Sequence, residues 1–357
     1  MLRVHERKMR LILIFLFVST ISACSSLKQS DYLAPFIKEK PLTVLPEKKA
    51  IELSGDKNTI KSENRAVVPY FEIIFYDEDS PVLTKVSEEK EIISSKLVGS
   101  SNKLKRRIVD KAYNNFISQM KNKGLEILPI SSLSSSPTYT GFSKDGLKKI
   151  KKTIFGPGGT SVSPSGMNTS DSEESRGKQI SKIMDEMNAS VMNITLYITH
   201  MNRRVDPRSN SPYSIDVEQK ISVIRGSRMQ FFGLKASQCE GYCSSPVVNA
   251  KLGKSISSLA KVGDLSVKNK KSNKKEVKKQ ITTSDSDLKS QAADLSEKAI
   301  KWISALSEKK DDLRYYELRI DPVKYEKIIG DLLEKSTKKL VEEITFYGSS
   351  PSEKDDS

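Results

Sequence analysis

The sequence predicts a mixed α/β fold: a sheet with antiparallel hairpins packed by amphipathic helices, with a long Ser/Gly-rich insertion and a disordered N-terminal tether. Three observations predict it. Segments of period two alternate with segments of helical period along residues 66–347. With 36% hydrophobic and 29% charged residues among 357, the chain is too apolar to be wholly disordered and too polar for a multi-span membrane protein. Two polar stretches, an insertion at 131–177 and a Lys-rich linker at 264–284, interrupt the periodic segments.

The elements follow in order. Residues 24–65, rich in Lys, Ser, Glu and Pro, form the tether, which averages roughly 35 Å as a coil and stretches to roughly 130 Å. The β-rich run Val67–Tyr76 is the first strand, and Asp77-Glu78-Asp79-Ser80-Pro81 ends it as a solvated turn. A charged stretch precedes a helix over Asn102–Lys123, where Leu104, Ile108, Ala112, Phe116 and Met120 recur every four residues and Gly124 caps the end. Leu125–Pro129 is a short strand.

The insertion reads mostly as loop. It holds the basic patch Lys148-Lys149-Ile150-Lys151-Lys152 and the run Gly156-Pro157-Gly158-Gly159-Thr160, which lacks the GK[ST] ending of a phosphate loop. A helix over Gly177–Ala189 leads into a strand at Val191–Thr199, and further strands fall at Tyr213–Ile224 and Met229–Phe232, turning near Gly226. After the Lys-rich linker, Asp287–Leu306 has the spacing of a packed helix, and Leu313–Ile320 alternates as a strand. Asp321-Pro322 supplies an N-cap and N1 pair for a last helix from Val323 to about Phe346, and residues 348–357 are a disordered tail.

Charge and cysteine usage point to a compartment. Sixty Lys and Arg against 45 Asp and Glu give +15. A balance of that size favours anionic lipid, anionic glycan or nucleic acid as surroundings. Arg3, Arg7, Lys8 and Arg10 precede the apolar run Leu11–Val18, and small residues follow up to Cys24. A basic region, a short apolar run and a small-residue exit make residues 1–23 a secretory signal, too short to span a bilayer. Met9 offers an alternative start. Deleting residues 1–23, with four basic residues and one acidic, still leaves +12.

The exit Ile21-Ser22-Ala23-Cys24 resembles the lipobox of bacterial lipoproteins. The resemblance implies cleavage before Cys24, acylation of that cysteine with palmitate-like chains, and a membrane held through it. Two or more chains make such an anchor stable. Ser25 and Ser26 after the cysteine imply the outer membrane, with the head in the periplasm or outside. In an oxidising envelope, Cys239 and Cys243, four apart around a glycine, favour a small loop disulfide.

The order of strands and helices also resembles the periplasmic α/β domain of the curli-secretion-channel lipoprotein and of lipoprotein activators of peptidoglycan synthesis. Val67–Phe75, Lys123–Leu128, Ile180–Ile198 and the last helix carry the likeness, over about half the mature chain. The Ser/Gly insertion and the Lys-rich block depart from it.

Candidate chemistry is sparse. His200, the one histidine of the mature chain, reads as a surface residue at a strand end, and no GxSxG or HExxH is present. The sequence calls for no cofactor and no metal site. Lys268, Lys270, Lys271, Lys274, Lys275, Lys278 and Lys279 form the densest charge run. It is read as a solvated linker or, functionally, as a contact for an anionic surface worth about 1 kcal/mol per Lys. No aromatic residues interleave these lysines, so nucleic acid is not the expected partner. The triplets at Asn168, Asn188 and Asn193 match glycosylation acceptors by coincidence. The function expected is a non-enzymatic binding or scaffold module in envelope assembly, secretion or wall regulation, with an envelope protein or the cell wall as partner. The alternative is an envelope hydrolase or transferase acting on wall glycan through carboxylates. A pore-forming oligomer ranks last.

Overall fold

A computed structural model describes residues 49–55, 63–79, 82–86, 89–144, 146–152, 157–168, 176–205, 215–234, 248–271 and 312–343. In chain order the elements are β1 (Ile51–Gly55), β2 (Arg65–Glu78), β3 (Val82–Val86), β4 (Glu89–Val98), α1 (Asn102–Asn122) and β5 (Glu126–Ile127). A 3-10 turn (Ile130–Ser135), α2 (Pro137–Thr140), β6 (Leu147–Ile150), β7 (Gly158–Val162) and α3 (Arg176–Met187) follow. Then come β8 (Ser190–Val205), β9 (Ile215–Val223), β10 (Arg228–Phe232), β11 (Val248–Leu252), β12 (Ile256–Ser258), β13 (Gly263–Lys271), β14 (Asp312–Ile320) and α4 (Pro322–Glu342). The fold is mixed α/β, as the sequence predicts.

The strands form one sheet whose main order is β1-β11-β10-β8-β2-β4-β14-β13. Most pairs are antiparallel. β2 runs parallel to β8, with α3 immediately before β8, and β14 runs parallel to β4. Pro69 sits inside β2 because the register with β8 shifts between Val67 and Tyr70. A bulge of this kind is where a proline can be spared from the ladder.

Two helices cover one face of this sheet. Ser101 caps α1 by accepting from the Leu104 N–H at 3.2 Å. The helix ends where Gly124 takes φ +82 and the Leu125 N–H bonds back to Met120 O at 3.2 Å. That left-handed exit is what glycine permits. The buried stripe of α1 sets Tyr113 and Phe116 against Phe71 of β2, with ring centroids 5.3 and 5.8 Å apart. Such contacts add about 0.5–1.5 kcal/mol each to simple burial. Asp321 caps α4 by accepting from Val323 N at 2.9 Å and Lys324 N at 3.2 Å, with Pro322 at the first helical position. Tyr325, Ile329, Leu332, Leu333, Leu340 and Val341 bury its inner side.

Three boundaries differ from the expectation, each through pairing with a distant segment. Ile51–Gly55 falls in the expected tether but forms β1, paired antiparallel with β11 from Ile51↔Leu252 to Gly55↔Val248. The insertion is not mostly loop: β6 pairs β7, and β7 pairs β2. A Cβ on Gly159 would lie 2.0 Å from Phe75 O, so this glycine lets the two backbones meet. The Lys-rich linker begins with β13, which pairs antiparallel with β14 along its whole length. β13 ends the order of the sheet, with its backbone paired on one side among the described residues. The charged stretch before α1 holds the β3–β4 hairpin. The helix expected at Asp287–Leu306 and the tail lie outside the described residues.

Candidate functional site

Residues on alternate positions of β2, β8, β10 and β11 face opposite sides of the sheet. One side carries Phe71, Ile73 and Phe75 of β2, Met192, Ile194 and Leu196 of β8, Met229 and Phe231 of β10, and Val248 and Ala250 of β11, all buried. The other side carries two polar rows. In the first, register places Ser54, Asn249, Gln230, Asn193 and Tyr70 side by side across five strands. In the second, two residues along, stand Glu52, Lys251, Arg228, Thr195 and Glu72.

Exposure falls along both rows in the same sense. Ser54 and Glu52 are exposed, Asn249, Gln230, Lys251 and Arg228 are half-buried, and Asn193, Thr195, Tyr70 and Glu72 are buried. The polar face therefore deepens from β1 towards β2. At the deep end the Tyr70 hydroxyl donates to Gln179 of α3 at 2.9 Å, and the Tyr70 ring stacks on Phe142 at 5.5 Å. Asn193 is 7% exposed. Its Oδ1 and that of Asn249 are both buried, and neither has a hydrogen-bond partner among the described residues. A buried carbonyl left unpaired costs about 1–3 kcal/mol. Adjacent strands lie roughly 4.8 Å apart, so these two acceptors stand on strands about 10 Å apart with Gln230 between them.

Residues 130–144 and 157–168 are pinned beside this face. Glu186 of α3 accepts from the Ser136 hydroxyl, from Thr138 N at 3.2 Å and from Thr138 Oγ1 at 2.6 Å. Burial alone would raise its pKa, but those hydrogen bonds and the Lys182 charge more than offset this and hold it below the usual carboxylate value. Tyr139 accepts from Asn168 N at 2.8 Å, and burial pushes its phenol up to about 12 despite that bond. On the far side, Asp110 of α1 accepts from Ser165 N at 2.6 Å and Ser165 Oγ at 2.8 Å.

The acidic run after the first strand is not a solvated turn. β2 continues through Glu78, and each carboxylate finds a partner distant in sequence. Lys105 of α1, its side chain 3% exposed, lies 2.5 Å from Asp77 and 3.2 Å from Thr160 Oγ1. Its ammonium also sits 5.6 Å from the centre of the Phe75 ring. Glu78 pairs with Lys96 at 3.2 Å, which raises the Lys96 pKa through that hydrogen bond and the carboxylate's charge. Asp79 accepts from the Ser95 hydroxyl. Beside Asp77, burial pushes the Tyr325 phenol well up, and the carboxylate's charge adds to the shift.

His200 corrects the expectation most sharply. β8 runs on to Val205, so His200 lies inside the strand and is 1% exposed. Its Nδ1 is 2.9 Å from Tyr76 O, and a carbonyl can only accept, so Nδ1 carries a proton. Nε2 lies 3.4 Å from Ser95 Oγ, whose own proton goes to Asp79. A catalytic triad needs the histidine to take the serine proton and a carboxylate behind the histidine. Here the carboxylate is on the serine, a backbone carbonyl is on the histidine, and all three side chains are closed to solvent. The cluster ties β2, β4 and β8 together.

Of the residues singled out from sequence, Cys24, Cys239, Cys243, Lys274, Lys275, Lys278 and Lys279 lie outside the described residues. Lys268, Lys270 and Lys271 lie on β13, opposite Tyr315, Leu313 and Asp312 of β14. Lys148 and Lys149 are exposed on β6. Among the described residues, no group of three His, Cys, Asp or Glu could hold a metal, and no helix is long and apolar enough to cross a membrane. The polar rows escaped the sequence reading. Their signal was the alternation in Val191-Met-Asn-Ile-Thr-Leu-Tyr, Arg228-Met-Gln-Phe and Val248-Asn-Ala-Lys-Leu, which shows one row only after the registers are known. No family model matches the chain, and no curated protein or solved structure matches it either.

Proposed function

We propose that this chain is a lipid-anchored bacterial envelope protein whose α/β head is a non-enzymatic binding module. The binding half rests on one observation, the polar sheet face that deepens to Asn193 and holds two buried, unpartnered acceptors. Such acceptors are offset when a ligand donates to them. The acidic run Asp77, Glu78 and Asp79 is engaged by Lys105, Lys96 and Ser95, so it offers no free pair of carboxylates for hydrolysis, which favours binding. The anchoring half rests on the basic region, the apolar run Leu11–Val18 and Ile21-Ser22-Ala23-Cys24. Acylated Cys24 would hold the head at the outer membrane, and its partner is an envelope protein or the wall itself.

The test is metabolic labelling of cells with an alkyne fatty acid. Label is expected on the wild-type chain and lost in Cys24→Ala. Mild crosslinking and recovery from detergent then identify the partner. Equal labelling of both chains would overturn the anchor.

A further inference from the structure

The polar face also indicates a class of ligand, on the reading that this face is the binding surface. Of the five strands beneath it, β11, β10, β8 and β2 are each paired on both sides, so over them only side chains are on offer, while β1 is paired on one side alone among the described residues. The first row is uncharged: a serine hydroxyl, three amides and a tyrosine. In the second row the half-buried cations Lys251 and Arg228 stand between Glu52 on one side and Thr195 and Glu72 on the other, so the row carries no net charge. A surface built to capture an anion would leave those cations without flanking carboxylates.

In the uncharged row the groups left without a partner among the described residues are acceptors, the Oδ1 atoms of Asn193 and Asn249. A matching ligand must bring hydrogen-bond donors about 10 Å apart, across Gln230. It must be neutral and polar, and long enough to lie along a face that opens at β1. We infer that this face binds a neutral glycan bearing hydroxyl and acetamido N–H donors, with one sugar seated over Asn193 and the chain leaving over Asn249 towards β1. An extended peptide fits less well, because the edge it would pair with is the outer side of β1, three strands from the Asn193 acceptor on β8, which it would leave unfilled.

The experiment is calorimetric titration of the full chain in detergent with three probes: a trimer of N-acetylglucosamine, a glucose trimer, and a galacturonic acid trimer. The acetamido sugar is expected to bind most tightly and the acidic one most weakly. Asn193→Leu and Asn249→Leu should each weaken binding of the acetamido trimer roughly ten- to a hundredfold, as loss of a donor to a buried acceptor does. Gln230→Met, at a half-buried position, supplies the same reading should Asn193→Leu fail to fold. Tightest binding of the acidic trimer, affinity unchanged in the variants, or no heat with any probe would each overturn the inference. Labelling at Cys24 is read in cells and is independent of this titration, so failure of the ligand and failure of the anchor are distinguishable.

Discussion

The two faces of the central sheet are built from the same strands and do opposite things. On β8, Met192, Ile194, Leu196 and Ile198 point into a layer closed by α1 and α4, while Asn193, Thr195 and Thr199 point the other way. Both sets are buried, yet the first is satisfied by packing alone, whereas the second holds a polar atom that has no hydrogen-bond partner among the described residues. Burial therefore does not identify the face that folds the protein. The state of the hydrogen bonds does.

The most damaging change to the first face is Phe71→Ala, which removes the ring that Tyr113 and Phe116 pack on. It should lower stability by about 3–5 kcal/mol in a denaturant titration. Lys105→Ala leaves the Asp77 carboxylate partly buried beside Thr160, and a loss of roughly 3 kcal/mol is expected by the same method. Lys105→Met together with Asp77→Leu should recover most of that loss, because the uncompensated charge is gone. Gly159→Ala forces β7 off β2 and should cost about 1–3 kcal/mol, with faster amide exchange at Thr160–Val162. Asp321→Ala removes the α4 cap for about 1 kcal/mol.

The smallest effect lies on the second face and depends on pH. Glu186 has its folded pKa below the unfolded value, so its contribution is fully present above the ordinary glutamate range and is lost as pH falls through the folded value. The protection factors of the Thr138 and Tyr139 amides, referred to the intrinsic exchange rate at each pH, should fall on acidification before those of the core strands. Glu186→Gln should show that loss of protection at neutral pH. Protection unchanged in both would detach Glu186 from the holding of α2.

What was legible from sequence follows the same division. α1, α4 and β8 are visible because their apolar period is carried within one segment, as in the Leu104–Met120 repeat. β1, β6 and β7, and β13 were not, because Ile51–Gly55, Gly158–Val162 and Gly263–Lys271 are short or polar and become strands through β11, β2 and β14. His200 looked superficial because a run of apolar residues stops near it. Tyr76 O and Ser95, over a hundred residues away, account for its burial. The polar rows needed four registers at once, across five strands, which no single segment contains.

Ile194 and Asn193 are neighbours on one strand and belong to opposite faces, so the most direct test compares Ile194→Ala with Asn193→Leu for stability and for binding of the N-acetylglucosamine trimer. The expected result is a stability loss of roughly 2–5 kcal/mol with affinity retained in the folded Ile194→Ala protein. For Asn193→Leu it is unchanged or raised stability with binding lost. Equal destabilisation by both, with binding intact in the folded Asn193→Leu protein, would contradict the division of the sheet into a face that folds and a face that binds.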